Sequence, residues 1–315
     1  MREFEIIKCH GSGNDFVMVD TTREAGFVGV DRSAFARAVS CRERGIGSDG
    51  VLYVVRHSDG IYGMDMYNPD GTQAEMCGNG MRCVARLARE RGYIVDGILR
   101  SGGRDYAVAA AEPIADGIAT YAVEIPIRTW SDDFLFFAPS ERWLGKVIDS
   151  FDEELRFSAL NLGNPHIVAA VESIDMQRLE SLGEAVKHRK DLFPHGVNLS
   201  LLERRSERSI FVATFERGAG ITLSCGTAMT ASATASALLS LVECGERIEV
   251  CNRGGKVFCT TRIQDAMIVT RLEGNATFEW WGRASFDDGV LRYTNVKDEG
   301  EQRRWLEFID DLNRS

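Results

Sequence analysis

Cys77 and Cys225 head two copies of one sequence plan, and this repetition restricts the chain more than any other feature. In Asn68–Arg86 (NPDGTQAEMCGNGMRCVAR), Cys77 precedes Gly-Asn-Gly and then Met81, Val84, Ala85 and Ala88 at helical spacing. The pattern predicts a loop that turns on glycines and enters a helix with a buried apolar stripe. In Glu216–Thr234 (ERGAGITLSCGTAMTASAT), Cys225 again precedes a glycine and a long run of small residues; position 225 against 77 is a separation of 148. Other segments match in the same order. NLGNPHIVAAV (161–171) answers GSGNDFVMVD (11–20), and HGVNLSLLE (195–203) takes the place of SDGVLYVV (48–55). Asn14 lies 63 residues before Cys77, and Asn164 lies 61 before Cys225. A period of this size marks a duplicated domain. It predicts two pseudo-symmetric halves whose equivalent loops face one cleft, with a cysteine on each wall.

At 315 residues the chain is long enough for two domains with their own cores. A formal net charge of −10 argues against nucleic acid or an anionic membrane surface as partner. MREFEIIKCHGSG lacks the apolar core of a signal peptide, and no apolar run is long enough to span a bilayer, so a cytoplasmic location is expected. Eight cysteines without a secretion signal predict reduced thiols, not a disulfide framework. Zinc ligation is not expected: there is no Cys-x-x-Cys, and the five histidines are scattered.

Along the chain, strands are expected at Phe4–Cys9 and Phe16–Asp20 around the turn His10–Asn14. A helix is expected over Ser33–Arg44, capped near Asp31 and ended by Gly45, with strands at Val51–Val55 and Tyr62–Tyr67. The helix after Cys77 should end at Gly92, before short strands near Gly97–Arg100, Asp105–Ala110 and Tyr121–Ile125. Pro126–Phe137 reads as a connection between domains. Further strands are expected at Arg247–Val250, Lys256–Arg262 and Met267–Leu272, and a terminal amphipathic helix at Gln302–Leu312. The run Ala228–Val242 is small and apolar nearly all round, as suits a helix enclosed by a sheet.

A lone buried cysteine usually serves as a small hydrophobe, and Cys9, Cys41, Cys83, Cys244, Cys251 and Cys259 are read that way. Cys77 and Cys225 differ because each sits at a glycine-flanked helix entry and each has a counterpart. The unpaired N–H groups of a first helical turn favour negative charge, so they lower a thiol pKa and offer an anion site. Two such thiols suit two-base racemisation: a thiolate takes a proton from one face of a stereocentre and a thiol returns one to the other. The backbone N–H groups of Gly78–Asn79 and Gly226–Thr227 are candidates to bind the carboxylate beside the developing carbanion. No metal, pyridoxal or dinucleotide motif is visible, and no cofactor is expected; GSGNDF lacks the third glycine and following helix of a Rossmann fingerprint.

HGSGNDF (10–16), GIGSDG (45–50), NPDG…CGNGMRC (68–83), LGNPH (162–166), the asparagine after FPHGV (193–198) and ERGAG…CGT (216–227) together resemble the diaminopimelate epimerase family. The resemblance covers roughly residues 3–282. It implies an α+β fold of two pseudo-symmetric domains, each a mixed β-sheet rolled around a central helix. The domains implied are 1–125 with Cys77, joined by the strand near 276–282, and 126–275 with Cys225, followed by a 283–315 extension carrying the amphipathic helix. The resemblance also implies cofactor-independent epimerisation of LL- to meso-diaminopimelate, a small-molecule amino-acid substrate and a homodimer. Cys77 and Cys225 would be the acid/base pair. Asn14, Asn68, Asn164, Asn198, Glu216 and Arg217 would hold the substrate, with His166 close to the chemistry.

Taken singly, Asn68, Asn164 and Asn198 also suit turns, and Glu216-Arg217 a solvated ion pair. Four departures from the family pattern are present, of which Ile221 and Ala228 bear on the substrate. Ala228 stands where a glycine is usual, Ile221 replaces a glutamate after GAG, and CNRGG and GNA replace PGG and GPA. A racemase of another amino acid such as histidine, using the same two thiols, is the alternative. A binding protein that has kept the fold and lost catalysis is the third reading, opposed by the presence of both cysteines.

Overall fold

The computed structural model describes residues 2–127, 142–264 and 267–314. They form two compact units: residues 1–123 with 273–315, and residues 124–272. The expected connection Pro126–Phe137 lies almost wholly outside the described residues.

In the first unit one mixed sheet runs, in pairing order, Val290–Lys297, Thr277–Asp287, Phe4–Gly11, Asn14–Asp20, Gly50–Arg56, Tyr62–Tyr67, Gly97–Ser101, Arg104–Ala110 and Thr120–Pro126. Asn14–Asp20 with Gly50–Arg56, and Tyr62–Tyr67 with Gly97–Ser101, pair in parallel; the other pairs are antiparallel. The second unit repeats this plan. Asp152–Asn161 and Pro165–Val171 form the hairpin, Asn198–Ser206 joins in parallel, Ser209–Glu216 follows antiparallel, and Arg247–Asn252 closes in parallel. The antiparallel fourth strand of each copy, Tyr62–Tyr67 or Ser209–Glu216, carries a short hairpin partner immediately before the cysteine, Gln73–Ala74 or Gly220–Thr222. The duplication legible in the sequence is thus a duplication of strand order and direction.

Five helices complete the described chain: α1 (Arg32–Ser40), α2 (Gly78–Glu90), α3 (Met176–His188), α4 (Gly226–Leu238) and α5 (Glu301–Arg314). α2 and α4 are the central ones. Gly78–Ala88 and Gly226–Ala237 are buried without a break, so each helix is enclosed by the strands of its own unit. α1 and α3 lie outside. Each is capped by an aspartate, Asp31 or Asp175, whose carboxylate accepts two backbone N–H bonds of the first turn. α3 is not among the expected elements, although Leu179, Leu182, Gly183 and Val186 supply a buried stripe at helical spacing.

Three boundaries differ from expectation. α1 ends at Ser40, short of Gly45, because Val39 O and Ser40 O accept the N–H groups of Ile46, Gly47 and Ser48 from the loop. α4 ends at Leu238, since Ser240 adopts a left-handed φ of 58° and Leu241 N–H returns to Ser236 O. Residues 283–315 are part of the first unit. The strand begun at Thr277 continues to Asp287, turns through Asp288 and Gly289 at positive φ, and pairs back along Val290–Lys297.

α5 then docks on the first unit through a buried ion pair. Arg86 of α2 donates from Nη1 and Nη2 to Glu301 at 2.6 and 2.7 Å, and from Nη1 to Ala276 O at 2.7 Å, with Phe278 N–H donating to the same carboxylate at 3.0 Å. The two side chains are 8% and 11% exposed. Glu301→Ala would leave the buried guanidinium with Glu90 as its remaining carboxylate, bound by Nε at 2.7 Å, and should cost somewhat less than the ~3–5 kcal/mol of a fully broken buried pair. The expected readout is a lowered urea midpoint for the full chain. Burial alone would raise the Glu301 pKa, but Arg86 outweighs it and holds the carboxyl below its ordinary range. The pair's contribution is therefore present above about pH 4.3 and is lost as pH falls through the folded-state value; the wild-type advantage over Glu301→Ala should shrink on acidification.

Candidate active site

The first unit presents Cys77 as the N-cap of α2. Its sulfur accepts the Gly80 N–H at 3.4 Å and also the Asn79 N–H. A cap that is usually a serine or aspartate is here a thiol, which places sulfur among unpaired amides at the positive end of the helix. Burial nonetheless wins over these amides and over the nearby Arg82 charge, and pushes the Cys77 pKa up to about 11. Asn14, from the turn after Phe4–Gly11, directs Oδ1 to the Cys77 thiol at 3.8 Å and accepts Asn79 Nδ2 at 3.3 Å. Asn79 Oδ1 is buried without a hydrogen-bond partner.

Asn14 is itself oriented from behind. Its Nδ2 donates to Asp49 Oδ2 at 2.8 Å, and Arg42 bridges Asp49 and Asp15 at 2.7 and 2.8 Å. Lys8 also pairs with Asp15 and donates to Gly47 O at 2.6 Å. Burial would raise the Asp15 pKa, but Arg42 and Lys8 together bring it down to about 2. Asp49 is not among the residues expected at the site; its signal is the GIGSDG loop, whose glycines draw attention away from the aspartate. Asn68 sits in its own turn, donating from Nδ2 to Thr72 Oγ1 at 3.0 Å, with Gly71 at φ 84°.

The second unit presents Cys225 as the N-cap of α4. A chain of side chains leads to it. His166 is fully buried, and its Nε2 lies 3.1 Å from Asn164 Oδ1; Asn164 Nδ2 donates to Thr227 Oγ1 at 3.1 Å. That leaves the Thr227 hydroxyl proton for Cys225 Sγ at 3.5 Å. With Nε2 donating, His166 Nδ1 is a buried acceptor with no partner. Burial, helped by the Arg217 charge, pushes the His166 pKa down to about 3, so the ring is neutral near pH 7. Cys225 is pushed well above the ordinary thiol range by burial first and then by the Glu216 carboxylate; the Thr227 hydroxyl and the Ala228 N–H act the other way.

Glu216 ends the strand Ser209–Glu216 and accepts the Thr222 hydroxyl from the short hairpin partner. Thr222 is a second residue not expected at the site; it lies in the GAG-I-T segment beside exposed Ile221. Asn198 is buried and accepts the Arg217 N–H at 2.8 Å, so it fixes the backbone after Glu216. Arg217 is exposed and lies over Gly196, donating from Nη1 to His195 O at 2.9 Å. The first unit therefore gathers Asn14, Cys77, Gly78 and Asn79. The second gathers Asn164, His166, Glu216, Cys225, Gly226 and Thr227, with Asn198 and Arg217 beside them. All eight cysteines are free thiols; Cys244, expected as a small core hydrophobe, is instead exposed and donates to Thr261 O at 3.3 Å. No helix among the described residues is long and apolar enough to cross a membrane.

The family model of diaminopimelate epimerase matches residues 6–100 and 158–279. The diaminopimelate epimerase of Listeria welshimeri is 34% identical over 314 residues, covering 97% of this chain and 95% of its own. That of Clostridium acetobutylicum is 33% identical over 314 residues, covering 98% and 94%. Among solved structures, a hydroxyproline epimerase from Agrobacterium vitis aligns with a TM-score of 0.60 at 14% identity, covering 96% of this chain and 94% of its own. A PhzF-family phenazine biosynthesis protein from Bacillus anthracis aligns with a TM-score of 0.60 at 13% identity, covering 94% and 100%. These two likenesses bear on the fold, which is the expected α+β arrangement. The matched segments contain both helices that begin after a cysteine, and the chain belongs to the diaminopimelate epimerase family, as an isomerase of the epimerase type.

Proposed function

We propose that the protein epimerises LL-diaminopimelate to meso-diaminopimelate without a cofactor, in lysine and cell-wall precursor supply, through Cys77 and Cys225 as a two-base pair. The observation that carries this reading is the thiol at the N-cap of each central helix, at equivalent places in two copies of one strand plan, in a chain of this family. In one direction a thiolate takes the Cα proton, the C–H electron pair stays on carbon as a carboxylate-stabilised carbanion, and the other thiol delivers its proton to the opposite face. The first cysteine leaves as thiol and the second as thiolate, so the reverse reaction begins where the forward one ends. A thiol with its pKa at about 11 is a stronger base once ionised than a free one at about 8.5, which suits a weakly acidic C–H. The first-turn N–H groups after Cys77 and Cys225 bind the substrate carboxylate and stabilise the carbanion's charge. Asn14, Asn68, Asn164, Asn198, Glu216 and Arg217 hold the rest of the substrate, and His166 supports Asn164.

Cys77→Ala and Cys225→Ala should each lower epimerisation at least about 100-fold, the lower end for loss of a general acid or base. Serine should fail too, because its hydroxyl does not ionise in this range. A Cys225→Ala enzyme working at the wild-type rate would sink the mechanism.

The charge on Glu216 opposes ionisation of Cys225, so Glu216→Gln should make that thiol more acidic. Alkylation of Cys225 by iodoacetamide at pH 8, followed by peptide mass, should then run faster, by up to about tenfold for a tenfold gain in thiol acidity. An unchanged or slower alkylation would mean that Glu216 does not act on the sulfur.

The substrate itself is tested at Arg217. A guanidinium fork holding a second carboxylate contributes roughly 1.5–3 kcal/mol, and lysine keeps the charge but loses the fork. Arg217→Lys should therefore weaken diaminopimelate turnover about ten- to a hundredfold and leave any racemisation of histidine much less changed. Wild type preferring histidine would retain the two-thiol chemistry and reject this substrate.

A further inference from the structure

We infer that Gln302 of the C-terminal helix and His10 are positioning residues for the Asn14–Cys77 contact, with Gln302 holding the His10 ring in place by accepting its Nε2 proton. This rests on the proposed function, in which Asn14 and Cys77 work on the substrate. His10 lies near the end of the strand Phe4–Gly11 and is 2% exposed, its ring 5.3 Å from that of Trp305. Two donors converge on its Nδ1: the Gly13 N–H at 3.2 Å and Asn275 Nδ2 at 3.2 Å. The Asn275 amide has its orientation fixed, because its Oδ1 accepts the Ser12 N–H at 2.7 Å. Nδ1 is therefore the bare nitrogen. The proton sits on Nε2, where Gln302 Oε1 accepts it at 2.8 Å.

The loop so held is a demanding one. Ser12 and Gly13 stand in succession at φ 55° and 78°, the first an unfavourable setting for a residue with a side chain. Three outside contacts keep it there: Asn275 on the Ser12 N–H, Arg82 Nη2 on Ser12 Oγ at 3.1 Å, and His10 on the Gly13 N–H. The next residue is Asn14, whose Oδ1 meets the Cys77 thiol. If Gln302 is lost, the buried Nε2–H has no acceptor, and the ring is no longer anchored on the side away from the loop. A ring that shifts withdraws Nδ1 from the Gly13 N–H and loosens the loop just ahead of Asn14. Gln302 lies beyond the segments matched by the family model, 6–100 and 158–279, whereas His10 lies within the first. A residue of the shared motif thus takes its partner from the C-terminal helix.

The test compares full-length wild type, Gln302→Leu, Gln302→Glu, Asn14→Ala and the Gln302→Leu/Asn14→Ala pair in diaminopimelate epimerisation, with thermal midpoints alongside. Gln302→Leu should lose about ten- to a hundredfold in kcat/KM, as a displaced catalytic group does. Gln302→Glu, which keeps the acceptor, should recover most of it. In the Asn14→Ala background Gln302→Leu should cost nothing further, whatever it does to the thermal midpoint. Long-range 1H–15N spectra should place the His10 proton on Nε2 in wild type, a measurement that stands even if Gln302→Leu does not fold. A proton on Nδ1, a wild-type rate for Gln302→Leu, or an equal loss in both backgrounds overturns the inference alone. Asn14→Ala at full rate overturns the underlying site reading, and this inference with it.

Discussion

The guanidinium groups of Arg82 and Arg86 set the terms on which the first unit is built. A helix enclosed by a sheet has no solvent face, so any charge on it must be satisfied from within. α4 meets this condition by carrying no charge at all: its Thr230, Thr234 and Ser236 hydroxyls return to carbonyls of the same helix. α2 instead buries two arginines, whose partners include Ser12 and Glu90 and, from the far end of the chain, three more residues. Arg82 Nε donates to Asn275 O at 3.1 Å and Arg86 binds Ala276 O and Glu301. The segment Asn275–Ala276 and α5 thus supply acceptors to the buried charges of the helix that Cys77 heads.

That difference makes the two copies of the site unlike in their electrostatics. Arg82 helps to lower the Cys77 pKa, whereas Glu216 adds to burial in raising that of Cys225. Near the first thiol the sulfur is surrounded by amides and an asparagine; near the second it sits beside a carboxylate and a hydroxyl–amide–imidazole chain. Two thiols at equivalent places in the two copies therefore sit in unequal fields.

Much of this organisation is legible in the chain itself. The glycines after each cysteine, the small residues of α4 and the matched hairpins are local signals that the packing does not override. What is not legible is so for identifiable reasons. The α3 stripe includes Gly183, which does not register as apolar, although its missing side chain is what admits the Phe215 ring. The Asp288-Gly289 hairpin is hidden when the C-terminal residues are taken as an appendage. Within the site, the neighbours of Cys77 within its own motif follow from spacing, as do Asn164 and Thr227 beside Cys225. Asp49 behind Asn14, and Gln302 behind His10, do not: pairs separated by 35 and 292 positions carry no periodic signature.

The strand Phe4–Gly11 lies between Asn14–Asp20 and Thr277–Asp287 in its sheet. During synthesis the ribosome delivers one of these neighbours at once and the other only after the whole of residues 124–272 has emerged. The inserted unit has its hairpins and parallel pairings within that span and can close while still tethered. The surrounding unit cannot complete its sheet until nearly the last residues are free. Until Thr277–Asp287 has emerged, a nascent chain therefore carries on Phe4–Gly11 an unpaired strand edge that the finished fold covers.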